Sequence, residues 1–308
     1  MKIKRSFLQQ YPLLSFVLLT YAITWLLWTP SLLSARGWLP VTLPDWASLP
    51  GNFGPVLAAV LLLARNEGKN GVRKLLAGLV RWRIPLRWYL LALGLPLLMN
   101  TALIALFGVL SGLTPDLGLG TLLTLLSAFL YWTVVGGPLG EEPGWRGYLL
   151  PRLQSRYSAL SASLVVAAVW FAWHLPRYLD PNILGGSGIT VLVFGLQIVA
   201  YTILHTWVYN NSTGSLLLVV LFHAAINSIT YTIPILYPAI QPADVAAFTT
   251  PVLIAMLGFI LIWALLVVIR GKPANLSQSG RVTQPEESES DLPGTAVKRY
   301  AHTPSPGD

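Results

Sequence analysis

Polarity along this chain changes on a long wavelength. Apolar stretches recur at about 11–33, 51–65, 88–110, 120–139, 157–175, 188–208, 214–233 and 249–270, separated by short polar or Pro/Gly-rich connections. Most approach the ~20 residues an α-helix needs to cross a hydrocarbon core of about 30 Å. The second is short, which fits little tilt or partial shielding. The period-two alternation of a membrane barrel is absent. The pattern predicts an all-α fold, a polytopic transmembrane helical bundle of about eight membrane helices over residues 1–270. From Gly271 to Asp308 the chain turns polar and includes Glu286-Glu287-Ser288-Glu289-Ser290-Asp291. That composition cannot bury enough apolar surface to fold, so 271–308 is expected to be a disordered cytoplasmic tail.

Composition sharpens this picture. The chain of 308 residues is 54% hydrophobic and only 10% charged, with a mean hydropathy of +0.62. A soluble chain of this length needs more surface charge. The 12 Trp and 12 Tyr suit interfacial belts, and Trp25, Trp28, Trp82 and Trp88 lie near expected helix ends. The absence of cysteine removes disulfides, thiolate zinc sites, a cysteine nucleophile and a lipidated thiol. Lys2, Lys4 and Arg5 precede an apolar run too long for a signal peptide, so this is read as a retained first helix.

Cations cluster in alternate connections. Lys2, Lys4 and Arg5 come first, then Arg65, Lys69, Arg73, Lys74, Arg81, Arg83 and Arg87, then Arg146, Arg152 and Arg156, then Arg270 and Lys272. The intervening connections hold mainly Arg36 and Arg177. By the positive-inside rule both termini are cytoplasmic. The net charge of +8 is therefore topological, and no nucleic-acid partner is expected. The expected location is the cell membrane as a multi-pass protein. Within the second basic cluster, Val72, Leu75, Leu76, Leu79 and Val80 recur at helical spacing opposite cations, as in an amphipathic helix lying on the cytoplasmic leaflet.

Against this background Gly140-Glu141-Glu142-Pro143-Gly144-Trp145-Arg146 stands out. Carboxylates near bilayer depth persist where they have a partner or a task. Arg146 can pair with one, leaving the other as a base. Gly136, Gly137 and Pro138 break the preceding helix, and Pro143 suits the first turn of a new one. Two later apolar runs carry His174 and His223, and Asn227 shares a helix face with His223. Each feature alone is commonly structural; together they point to one shared site. His205 lies in the sixth run without an accompanying motif, and His302 lies in the tail. No Gly-x-Ser-x-Gly elbow or His-Glu-x-x-His helix occurs. Asn210-Asn211-Ser212 fits a glycosylation sequon but falls in an expected cytoplasmic loop.

At these residues the chain resembles the CAAX prenyl endopeptidase and bacteriocin-processing family of intramembrane proteases. That family's motifs are Glu-Glu-x-x-x-Arg, Phe-x-x-x-His and His-x-x-x-Asn. They read here as Glu141-Glu142-Pro143-Gly144-Trp145-Arg146, Trp170-Phe171-Ala172-Trp173-His174 and His223-Ala224-Ala225-Ile226-Asn227, in the same order. Trp170 replaces the phenylalanine. The resemblance covers about 115–235, a protease-like core, and the first two segments add nothing to it. It implies hydrolysis of a peptide bond in a membrane-associated or prenylated substrate. Glu141 would activate water, His174 would hold it, His223 and Asn227 would stabilise the oxyanion, and Glu142 and Arg146 would orient the site. It implies no cofactor, with a zinc-dependent version held by Glu141, His174 and His223 as the alternative.

Two non-hydrolytic readings remain open: a membrane scaffold or bacteriocin immunity protein, and a proton-coupled transporter. The second lacks the internal repeat common in transporters. One geometric problem also stands. In a plain up-down bundle, Glu141 at the end of the fourth segment and His174 at the end of the fifth would face opposite sides of the membrane.

Overall fold

The computed structural model describes residues 6–179, 188–240, 242–270 and Leu276. Among them there are helices and no strands. The helices are α1 (Phe7–Gln10), α2 (Pro12–Ala35), α3 (Gly54–Asn66), α4 (Gly68–Leu79), α5 (Leu86–Ser111), α6 (Leu119–Val135) and α7 (Pro138–Gly144). They continue with α8 (Leu150–Gln154), α9 (Ala159–His174), α10 (Gly188–Asn211), α11 (Leu216–Asn227), α12 (Ile229–Leu236) and α13 (Pro242–Arg270). A 3₁₀ stretch, Asp45–Phe53, leads into α3, and a π turn, Trp145–Leu149, joins α7 to α8.

Local chemistry sets many of these boundaries. Prolines open α2, α3, α7 and α8, where a missing N–H costs nothing. Ser158 and Ser215 accept from the third residue of α9 and α11. Gly112 ends α5 in the left-handed conformation. Six helical stretches are long and apolar enough to cross a membrane, seven when α11 and α12, bent by 44°, count as one. A further apolar helix, Ile254–Arg270, closes α13. The protein is thus a polytopic helical bundle. The tail expected over 271–308 lies outside the described residues except for Leu276, which is buried and whose carbonyl accepts from Asn211 Nδ2 at 2.9 Å.

Two expectations are corrected. The fourth segment does not end near residue 139; one span of 36 residues runs from Leu119 to Gln154. Its helix restarts at Pro138, so Pro143 lies inside α7 and does not begin a helix. Arg146 is accordingly buried and does not belong to a connecting loop. The depth problem disappears with it. Glu141 lies about as far before the turn at 155–158 as Trp170 lies after it, and the two face each other across a hairpin.

The first two segments hold the later ones. Tyr21 Oη donates to the Val169 carbonyl at 2.6 Å, and Trp25 Nε1 to the Trp173 carbonyl at 3.0 Å. Thr24 Oγ1 accepts from Trp173 Nε1 at 2.9 Å and donates to the Gly51 carbonyl at 2.9 Å. Phe16 stacks on Tyr148 at 4.9 Å, and Trp28 packs on Trp173 at 4.7 Å. A glycine seam seats α7 on the chain around residues 52–55. A Cβ on Gly140 would lie 2.5 Å from the Asn52 carbonyl oxygen, and one on Gly144 would lie 2.6 Å from the Pro55 carbonyl carbon. Small residues at four-residue spacing are the usual device for close backbone approach between membrane helices.

The seam predicts asymmetric tolerance. Gly144→Ala should destabilise the protein by about 1–3 kcal/mol, the cost of overpacking. Gly94→Ala, within α5 where an added Cβ meets nothing within 4 Å, should leave stability unchanged or slightly higher. Thermal unfolding of both variants in the same detergent checks this; equal losses would contradict it.

Candidate active site

The two glutamates sit on the first turns of α7, where Gly137 makes the entry possible. Its φ is +126°, and a Cβ there would lie 2.4 Å from Glu141 Oε1. The π turn that follows tucks Trp145, Arg146, Tyr148 and Leu149 into the interior. Such turns frequently mark functional sites.

The carboxylates have different surroundings. Glu142 is 0% exposed and its Oε1 is committed twice: Arg146 Nη1 donates at 2.9 Å and His223 Nδ1 at 2.7 Å. Arg146, also 0% exposed, stands over the face of Trp170 at 4.8 Å. A desolvated guanidinium over an indole gains cation–π attraction. Glu141 is held by indoles alone. Its Oε2 accepts from Trp170 Nε1 at 2.6 Å and from Trp145 Nε1 at 3.3 Å. Trp170 therefore serves both charges, its face the cation and its N–H the anion. A phenylalanine could do only the first.

His174 is half-buried. Its Nδ1 lies 2.9 Å from the Trp170 carbonyl and, facing an acceptor, carries the proton, which leaves Nε2 as the open nitrogen. Glu141, His174, His223 and Asn227 all line a cavity of about 570 Å³; Glu142 and Arg146 do not. A neighbouring recess of about 400 Å³ shares His174 and Asn227 as wall. Asn227 ends α11 at the bend, where Asn100 Nδ2 donates to Ser228 Oγ at 2.7 Å and to the Ala225 carbonyl at 3.1 Å. The cavity also takes Trp28, Ser31 and Asn52 from the first two segments.

His205 joins the site although no motif marks it. It is 0% exposed, lines the same cavity, and packs edge to face against His223 at 5.2 Å. Its Nδ1 donates to the Tyr201 carbonyl at 2.6 Å, and its Nε2 lies 3.8 Å from Glu142 Oε1. The available signal was a polar stripe at helical spacing in α10, Gln197, Tyr201 and His205, all buried. Glu142 Oε2, Arg146 Nε and Nη2, and His205 Nε2 have no protein partner, and two acceptors beside two donors suit ordered water. His302 lies outside the described residues.

For a metal, the described His and Glu atoms that come within 4.8 Å of one another belong to Glu142, His205 and His223. This differs from the expected zinc set of Glu141, His174 and His223. The observed trio fits a dication poorly, because the buried Arg146 guanidinium already balances Glu142 at 2.9 Å and would lie beside the added charge.

Residues 123–229 match the family model described as type II CAAX prenyl endopeptidase Rce1-like. The matched segment is about a third of the chain. A CAAX prenyl protease 2 from Methanococcus maripaludis is 38% identical over 92 residues, covering 28% of this chain and 34% of that protein. The chain thus matches about a third of that relative's length. The family resemblance carried by the three motifs is borne out, and α7, α9 and α11, which hold those motifs, all fall within the matched domain.

Within the matched segment, the buried pair should dominate stability. Glu142→Gln leaves Arg146 desolvated without a counter-charge, which should cost about 3–5 kcal/mol. Adding Arg146→Met should recover part of that loss. Trp170→Phe keeps the ring beneath Arg146 and should cost less than either single charge change. Unfolding midpoints of Glu142→Gln, Arg146→Met, the double variant and Trp170→Phe give the ranking.

Proposed function

We propose that this protein is an intramembrane endopeptidase that cleaves a peptide bond of a membrane-associated substrate with a water activated by Glu141. One observation carries the reading: Glu141 opens to the cavity, while the adjacent Glu142 is spent on Arg146 and His223. Two carboxylates one residue apart are thereby divided into a free base and a fixed support. The match to an Rce1-like domain supplies the reaction class.

The contacts support the following steps. The two indoles hold Glu141 by Oε2, so Oε1 is left to take the proton of the attacking water. His174, fixed through Nδ1, offers Nε2 to orient that water. As the carbonyl becomes tetrahedral, its oxygen needs donors. The Asn227 side-chain amide supplies one. His223, held at Nδ1 by the Glu142 carboxylate, would supply another from Nε2. Glu141 then returns its proton to the leaving amine. The substrate class proposed, from the name of the matched family, is a prenylated or otherwise membrane-anchored peptide that reaches the cavity from the membrane surface.

Glu141→Gln should lower cleavage of a prenylated test peptide by at least ~10²–10⁴-fold, the usual contribution of a general base, with the unfolding midpoint preserved. Asn227→Ala should leave residual turnover, about 10²–10³-fold down, because it is one donor among several. A scaffold would tolerate Glu141→Gln in its binding assay. Metal content separates the hydrolytic routes: active protein should retain its rate in chelator, and zinc-dependent recovery after chelation would overturn the metal-free mechanism.

We also propose that both termini are cytoplasmic, from the alternation of basic connections. Reporter fusions at residues 45, 116 and 242 should then report the outside, and a cytoplasmic signal from any one would break this topology.

A further inference from the structure

A second surface lies outside the cavity. α4 joins the span ending at Asn66 to the one starting at Leu86. Its inward stripe is Gly71, Leu75 and Gly78. A Cβ on Gly78 would lie 2.9 Å from Leu216 Cδ1, and one on Gly147 would lie 2.4 Å from Leu75 Cδ1 and 3.1 Å from Leu216 Cδ1. Leu216 opens α11, the helix of His223 and Asn227, and Gly147 follows Arg146. α4 therefore rests directly on two of the elements that carry the candidate site. Its C-terminal extension is clamped to the same place: Arg81 donates to the Thr213 carbonyl, and the Arg81 carbonyl accepts from Ser215 Oγ, the cap of α11, at 2.8 Å.

The outward side of this segment combines cations with apolar groups. Lys69, Arg73 and Lys74 are exposed, and so are Leu76, Val80 at 70% and Trp82 at 62%. Glu67 is the one carboxylate between residues 65 and 87, and it is taken by Arg152 at 2.5 Å. We propose that this face is a docking surface for anionic lipid headgroups, with Lys69, Arg73 and Lys74 on the phosphates and Leu76, Val80 and Trp82 in the upper acyl layer. Charge complementarity and the adjoining apolar strip favour this occupant. An acidic peptide, including this chain's own Glu286–Asp291, offers the charge without an apolar layer. The proposal is independent of the hydrolase reading and uses no activity in its test.

The full chain is equilibrated in vesicles of phosphatidylcholine and phosphatidylglycerol at seven to three, extracted mildly, and its retained lipid quantified by mass spectrometry. The expected result is enrichment of phosphatidylglycerol over the bulk ratio. A basic residue near an anionic surface is worth about fivefold in affinity. The triple variant Lys69→Gln, Arg73→Gln, Lys74→Gln should therefore bind phosphatidylglycerol on the order of tenfold to a hundredfold more weakly and return to the bulk ratio. Its unfolding midpoint in pure phosphatidylcholine should match the unsubstituted chain, and each single variant should show a partial loss. Enrichment that survives the triple substitution overturns the proposal. So does enrichment abolished by inorganic phosphate but not by sodium chloride of equal ionic strength, which would mark a small-anion site. Truncation after Leu276 should leave the ratio unchanged; a clear rise would make the acidic segment the resident occupant and overturn lipid in that role.

Discussion

A single oxygen, Glu142 Oε1, organises the centre of this molecule. It receives a guanidinium from its own helix and an imidazole from α11. Charge in a low-dielectric interior is tolerated only when paired and hydrogen-bonded. That requirement fixes α7 and α11 relative to each other. The Trp170 face against Arg146 fixes α9 in the same way. The orientation of His223, the freedom of Glu141 and the closeness of His205 follow from that one commitment.

Burying a charged helix on every side demands close approach, and the glycines meet it. Gly140 and Gly144 bring α7 onto the backbone of residues 52–55, and Gly137 turns the chain so that Glu141 fits beneath it. The first two segments, silent in the motifs, become the back wall through Thr24, Trp25 and Trp28. Their hydrogen bonds reach carbonyls of α9, so they help hold Trp170 and His174 in register.

The apolar periodicity and the three motifs were legible in the sequence because titratable groups are rare in such runs, so Glu141, Glu142, Arg146, His174 and His223 stood out. The end of the fourth span was not. A cluster of Gly and Pro reads as a loop, yet here Pro138 starts a helix and the glycines serve packing partners distant in sequence. His205 was muted because its companions, Gln197 and Tyr201, are uncharged and because Glu142 reaches it only in the fold. The substitution of Trp170 for phenylalanine looked neutral as one aromatic for another. Its N–H acquires meaning only beside Glu141.

The fourth span is interrupted at Gly136–Gly137, and its two halves face different surroundings. α6, before the Gly136–Gly137 joint, buries no residue, while α7 after it is almost wholly interior. One half of the span answers to the lipid and the other to the protein. A mismatch in bilayer thickness therefore bears first on α6, and the Val135 carbonyl, which accepts from Asn52 Nδ2 at 3.2 Å, ties the end of that helix to the cavity wall.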